Sequence, residues 1–261
     1  MRQRIITGGL GAAGFLILLW LGGGWYAGLV VLLATLGYME YCRMGRIAWR
    51  SGWALPGFLM VWLLLFGVVY EGKAIDSLGQ TVVLTGLIVF FLLMVLSRNR
   101  LDIYRVSYLF IGAIYIGFGF SYMIQLRWMT DGLLWSLLVL GVIWAGDTGA
   151  YFVGRKFGRR KLWPAISPNK TVEGSAGGLI LAVIIGLPIA STIPSLDRLA
   201  ALGFILLIAV AGQLGDLVES AIKRTTGVKD SGGLLPGHGG VLDRFDSLLF
   251  AFFIIHLFRV V

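Results

Sequence analysis

Apolar residues run along the chain in long blocks separated by short polar loops. The blocks are Ile5–Leu21, Trp25–Tyr41, Trp53–Tyr70, Leu78–Leu96, Val106–Ile124, Leu133–Val153, Val172–Ile193, Leu199–Ile222 and Ser247–Val261. Most approach the ~20 residues that a helix needs to cross ~30 Å of hydrocarbon; the second and the last are short. The alternating apolar and polar positions of a membrane barrel are missing, so the spans are helices, which satisfy their own backbone groups in lipid. The pattern predicts an all-α polytopic membrane helix bundle of about nine transmembrane helices. The seventh block places Gly174, Gly178, Ala182, Gly186 and Ala190 every four residues, a small-residue stripe that lets another helix approach closely.

Composition agrees. The 261 residues are 58% hydrophobic and 13% charged, which excludes an ordinary soluble domain. A net charge of +9 would suit a nucleic-acid partner in a soluble chain. Here the bases sit in loops between apolar blocks, so they read as an orientation signal and no nucleic-acid partner is expected. Arg2, Arg4, Arg43, Arg46, Arg50, Arg98, Arg100, Arg105 and the basic loops 155–170 and 223–244 fall on one side. Only Lys73, Arg127, Arg198 and Arg259 fall on the other. The bias puts the N-terminus and the loops 154–171 and 223–246 in the cytoplasm of a multi-pass cell (inner) membrane protein. The first block follows two arginines as a signal peptide would. It lacks a convincing small-residue cleavage site and reads as a retained helix. Cys42 is the lone cysteine, so it forms no intramolecular disulfide and reads as an apolar filler. Trp20, Trp25, Trp53 and Trp62 suit interfacial anchoring or lipid packing.

Polar chemistry gathers between Gly215 and Asp246. Asp216, Glu219, Ser220 and Lys223 share one helical face. Asp243 and Asp246 lie three apart at the start of the last apolar run. Between the two groups lie Arg224, Lys229 and a run of glycines. Oxygen ligands beside cations and pliable backbone are what a metal–polyphosphate site requires. Elsewhere, Asp147 lies inside the sixth span and needs either a partner or a task. Bracing a neighbouring helix would be the plainer role. Thr171 is placed to cap the seventh helix with Glu173 in its first turn, and Lys170 beside that N-terminus makes a phosphate seat. His238 reads as a loop hydrogen-bonding or phosphate-contacting residue ahead of a general base, and His256 as structural.

Ser220-x-Ile222-Lys223-Arg224, then Lys229-Asp230, then Pro236-x-His238-Gly239-Gly240-Val241-x-Asp243-Arg244-Phe245-Asp246 resembles the signature of the phosphatidate cytidylyltransferase (CDP-diacylglycerol synthase) family. The segments around Asp147 and at Ser167–Gly174 resemble further family blocks. The resemblance implies two substrates, CTP and phosphatidic acid, that meet at a bilayer, with CMP transferred and pyrophosphate released. It implies Mg²⁺, a second, monovalent cation (K⁺), and a homodimer, neither of the last two being legible from spacing. Asp216, Asp243 and Asp246 are then the candidate metal ligands, with Glu219 and Asp230 in reserve. Those three and Lys223 are the candidate catalytic set. Asp147, Ser167, Asn169, Lys170, Ser220, Arg224, Lys229, His238, Gly239, Gly240 and Arg244 are candidates for substrate binding. The chain divides by role into a three-span membrane scaffold, 1–75, and a six-span catalytic region, 76–261. Two other readings use the same residues. A CTP-dependent polyprenol or lipid kinase would release CDP. An ion-coupled transporter would route ions past Asp147 and Asp216, but the charges cluster at one face and no internal repeat supports it.

Overall fold

The computed structural model describes residues 2–71, 76–98, 100–233 and 239–258. They form the helices α1 (Arg2–Leu21), α2 (Gly23–Met44), α3 (Leu55–Glu71), α4 (Asp76–Leu96), α5 (Ile103–Trp128), α6 (Gly132–Phe157), α7 (Val172–Ala190), α8 (Arg198–Thr226) and α9 (Leu242–Leu257). Among the described residues each apolar block falls mainly on one helix, and the end of the last block lies outside them. Six helices are long and apolar enough to cross a membrane, so the chain is a polytopic helix bundle. The apolar parts of α1 and α3, Gly8–Leu21 and Leu55–Val69, are shorter. Several helices outrun their apolar blocks. At ~1.5 Å per residue the 29 residues of α8 span about 43 Å, more than the ~30 Å hydrocarbon layer, so one end continues into polar surroundings.

One element departs from helix. Between α6 and α7, β1 (Lys161–Trp163) and β2 (Ser167–Thr171) pair antiparallel, with Lys161 opposite Thr171 and Trp163 opposite Ser167. Pro164 and Pro168 exclude helix here, and the strands are too short for alternation to announce them.

The chain packs as two compact units, one of residues 1–128 and 228–244 and the other of residues 129–227 and 245–261. In the first unit α5 packs against α2 and α3. Tyr108 stacks on Tyr41 at 4.3 Å and donates its hydroxyl to the Tyr41 carbonyl at 2.8 Å. Tyr38 donates to the Leu109 carbonyl. Arg127, at the end of α5, donates to the carbonyls of Leu19 and Trp20 and so caps the C-terminus of α1. Trp20 and Trp25 are exposed as anchors would be, whereas Trp62 donates inward to Thr35.

In the second unit the stripe on α7 meets α6 of the same chain. A Cβ built on Gly178 would lie 2.7 Å from the Gly146 carbonyl oxygen, and one on Gly149 would lie 2.7 Å from that of Gly177. The two helices therefore touch backbone to backbone, which only glycine permits. Thr171 caps α7 as expected, its hydroxyl accepting from Gly174 N–H at 3.1 Å. Glu173 accepts from the N–H groups of Arg159 and Arg160, tying the approach to the hairpin onto the same helix end. Asp197 caps α8, and Gly227, in the left-handed region, ends it.

Candidate active site

The helix face read from Asp216 to Lys223 exists on α8. Ser220 donates to Asp216 Oδ1 at 3.3 Å, and Lys223 Nζ lies 2.7 Å from Glu219 Oε2. Glu219 is buried, so its ion pair with Lys223 offsets an otherwise costly charge. Asp216 has a partner that spacing along the helix did not reveal: Lys170 Nζ, 2.7 Å from Asp216 Oδ2. Lys170 also donates to the Gln213 carbonyl at 3.2 Å. The Ser175 hydroxyl donates to Gln213 Oε1, and Gln213 Nε2 donates back to the Ser175 carbonyl at 3.1 Å. That reciprocal pair holds α7 to α8 beside the ion pair.

These groups line a cavity of ≈550 Å³ in the second unit. Asp147, Ser167, Asn169, Lys170 and Asp216, all proposed from sequence, meet on its wall. Asp147 is exposed and lines the cavity. Tyr151 and Arg155 line it too, and Arg155 donates to the Tyr151 hydroxyl at 3.1 Å. Arg155 was missed as a site residue. Its signal was present, since Asp147, Tyr151 and Arg155 fall four apart on one helix face. Arg224 donates to the Ile166 carbonyl at 3.2 Å and so braces the turn of the hairpin that carries Ser167 and Asn169.

Asp246 stands close to Asp216. Burial and then the Asp216 charge push its carboxyl up to about 6, against hydrogen bonds from Ser247 N–H and with Glu219 and the charge of Lys223. A carboxyl whose ionisation is disfavoured by burial and a neighbouring carboxylate is an electrostatic mark of a functional site. Asp246 precedes the apolar run of α9, which begins at Ser247.

The remaining signature residues belong to the first unit. Asp243, in the first turn of α9, accepts at Oδ2 from the N–H groups of Ser231 at 2.9 Å and Gly240 at 2.8 Å. The loop thus directs the Ser231 and Gly240 N–H groups at Asp243. Gly239 has a φ of 80°, a left-handed value that suits glycine. Lys229 and Arg244 are exposed. His238 lies outside the described residues. Sequence reading also missed Glu40 of α2, which is fully buried and accepts from Ser231 Oγ and Leu242 N–H. A lone acid in an apolar run gave no hint of partners so far along the chain. Among the described residues no three His, Cys, Asp or Glu side chains are grouped as a ready-made metal site.

A sequence model of the cytidylyltransferase family matches residues 2–261. The chain is 40% identical to the phosphatidate cytidylyltransferase of Bacillus subtilis (strain 168), across 99% of this chain and 98% of that one. It is 38% identical to the phosphatidate cytidylyltransferase of Staphylococcus haemolyticus (strain JCSC1435) and 36% identical to that of Staphylococcus aureus (strain COL), each across 96% of this chain and 95% of the relative. The chain belongs to the phosphatidate cytidylyltransferase family. The membership expected from the signature at Ser220–Asp246 therefore extends along the whole chain, and it is that of a nucleotidyltransferase embedded in a membrane.

Proposed function

We infer that the chain transfers CMP from CTP to phosphatidic acid, forming CDP-diacylglycerol and pyrophosphate for phospholipid synthesis. The observation that carries this reading is the cavity on whose wall Asp147, Ser167, Asn169, Lys170 and Asp216 meet, in a chain similar along its full length to enzymes of that name. An oxygen of the lipid phosphate attacks the α-phosphorus of CTP. The bond from that phosphorus to the bridging oxygen of the β-phosphate breaks, and pyrophosphate departs with the electron pair. The attacking phosphate has a second pKa of roughly 6, by analogy with phosphorylated side chains, so it arrives largely ionised and needs no protein base. Ser220, already hydrogen-bonded to Asp216, binds and orients and is not a covalent nucleophile.

The obstacle is repulsion between two polyanions. Lys170, Lys223, Arg224, Lys229 and Arg244 supply fixed positive charge, and Ser167 and Asn169 supply hydrogen bonds. His238, Gly239 and Gly240 are assigned to the phosphate-facing loop by the signature. Asp216, Asp243 and Asp246 would hold Mg²⁺. The fit is chemical: the Asp216 charge raises the proton affinity of Asp246, and a lysine ammonium already sits on Asp216 Oδ2. When bound, the ion neutralises phosphate charge and keeps attacker and leaving group in line. A second, monovalent cation, K⁺, and a homodimer complete the proposal on family grounds.

About nine helices span or enter the cell membrane in this reading, with the N-terminus and the site cytoplasmic. Residues 1–75 serve as scaffold and 76–261 carry the catalytic parts. A Thr225→Cys variant reports on the topology, because Thr225 is exposed and the native Cys42 is buried. An impermeant thiol reagent should label it in inverted vesicles and leave intact cells unlabelled; labelling of intact cells would reverse the orientation. For the reaction, purified protein is given phosphatidic acid and each of the four nucleoside triphosphates. CTP alone should yield pyrophosphate and a CDP-lipid; CDP with a newly phosphorylated lipid would indicate a kinase.

A further inference from the structure

Glu40 takes no part in the reaction derived above, yet it is buried with no exposed surface in an apolar helix. Such a charge is costly to place there and persists only with a task. Its Oε2 accepts from Leu242 N–H at 3.1 Å and from the Ser231 hydroxyl at 3.2 Å, groups 202 and 191 residues further along the chain. Bare backbone wraps the carboxyl. A Cβ on Gly232 would come within 2.5 Å of Oε1, and one on Gly240 would run into Oε2 and Ser231 Oγ.

Ser231 links this grip to Asp243. Its N–H donates to Asp243 Oδ2 at 2.9 Å, its Oγ accepts from Asp243 N–H at 3.3 Å, and the same Oγ stands 3.0 Å from Asp243 Oδ2. A hydroxyl has one proton, so Ser231 gives it either to Glu40 or to Asp243.

We propose that Glu40 is a positioning residue: by holding the Ser231 hydroxyl and the first turn of α9, it fixes the Asp243 carboxylate and keeps it available to a cation. The role rests on the reading of Asp243 as a metal ligand. Without Glu40 the Ser231 hydroxyl loses the acceptor that anchors it, and the Asp243 carboxylate held through Ser231 loses its fixed setting. Leu242 N–H is left buried without its acceptor. Glutamine at the same position keeps a carbonyl oxygen that accepts from both donors.

The test uses the full-length protein in detergent, with Mn²⁺ as the probe. Its binding is followed by electron paramagnetic resonance without nucleotide or lipid, and turnover is measured separately. Glu40→Ala should weaken Mn²⁺ binding and lower turnover by about 10- to 100-fold, as loss of a partner behind a metal ligand commonly does. Glu40→Gln should stay within about threefold of the parent on both readouts, since the acceptor is retained. Ser231→Ala should weaken Mn²⁺ binding several-fold, and combined with Glu40→Ala should add little, because both act through one link. Parental Mn²⁺ affinity in Glu40→Ala, or fully additive losses in the double variant, would overturn the proposal. If Glu40→Ala yields no monodisperse protein, Glu40→Gln against Ser231→Ala decides. The first near the parent and the second weakened supports it; any other order overturns it. A parent protein that binds Mn²⁺ but forms no CDP-lipid contradicts the functional reading and leaves the Glu40 comparison standing.

Discussion

The carboxylates of the two units are handled in opposite ways. Asp243 is held in place: two backbone N–H groups and the serine that joins it to buried Glu40 surround its Oδ2. Asp216 and Asp246 are left in tension. Burial and the Asp216 charge raise the proton affinity of Asp246, and Asp216 is paired with Lys170. A carboxylate gripped at one oxygen by fixed donors is positioned before any cation arrives. The neighbouring carboxylates Asp216 and Asp246, beside the Lys170 and Lys223 ammoniums, are where we propose that a cation or a phosphate-bearing substrate enters, displacing Lys170. The signature holds both kinds, three residues apart on α9.

The largest effect should come from neutralising the strained pair. Asp246→Asn and Asp216→Asn should each lower turnover about 1,000-fold, the scale seen when a transition-state charge loses its counterpart. In Asp246→Asn the melting temperature should hold or rise, since repulsion with Asp216 is relieved. Asp243→Ala should lose turnover as well, but with about 1–3 kcal/mol of stability, because buried N–H donors lose their acceptor. Thermal unfolding beside CDP-lipid formation checks both, and equal melting shifts in Asp243→Ala and Asp246→Asn would erase the contrast.

Lys170→Gln comes next. It removes the counter-charge of Asp216 and a phosphate contact, and should lower turnover about 100-fold while making the substrate-free protein bind divalent cations more tightly. Titration with Mn²⁺ follows the second effect. Weaker Mn²⁺ binding would mean that Lys170 props the site and does not plug it.

Much of this was legible in the residues, and the limits have physical causes. The helices of the described residues follow from apolar block length, because lipid forces each block to satisfy its own backbone. The Thr171 cap follows from Thr-x-Glu before an apolar run, a local signal. The glycine stripe on α7 announced a close neighbour without naming α6, since a stripe specifies distance and not identity. Lys170 and Asp216 were each proposed, but their pairing joins a hairpin to a helix end and has no period to reveal it. Glu40 was passed over within spans read as scaffold, because its partners lie some two hundred residues away. The hairpin was unreadable for a simpler reason: a three-residue strand carries no pattern.

A pH titration sharpens the comparison further. Asp246 is raised to about 6, so the folded protein holds that proton more tightly than the unfolded chain. This group's contribution to the stability of the metal-free protein is therefore present at low pH and lost as pH rises through about 6. Cation binding runs the other way. The Mg²⁺ needed for half-maximal activity should rise about tenfold per pH unit below 6 for a single displaced proton, and stay flat above 7. In Asp246→Asn that slope should vanish.

The smallest effect tests the frame around the cavity. Thr171→Ala should cost about 1 kcal/mol through the lost cap and lower the melting temperature by about 2–4 °C, with Mg²⁺ dependence unchanged.

The central claim concerns which phosphorus moves. Purified protein with phosphatidic acid is given CTP labelled at the α-phosphate and, in parallel, at the γ-phosphate, and the lipid is extracted. The account predicts label in the lipid from α-labelled CTP alone, with the γ label recovered in pyrophosphate. Lipid labelled from the γ position would contradict it and make the protein a kinase.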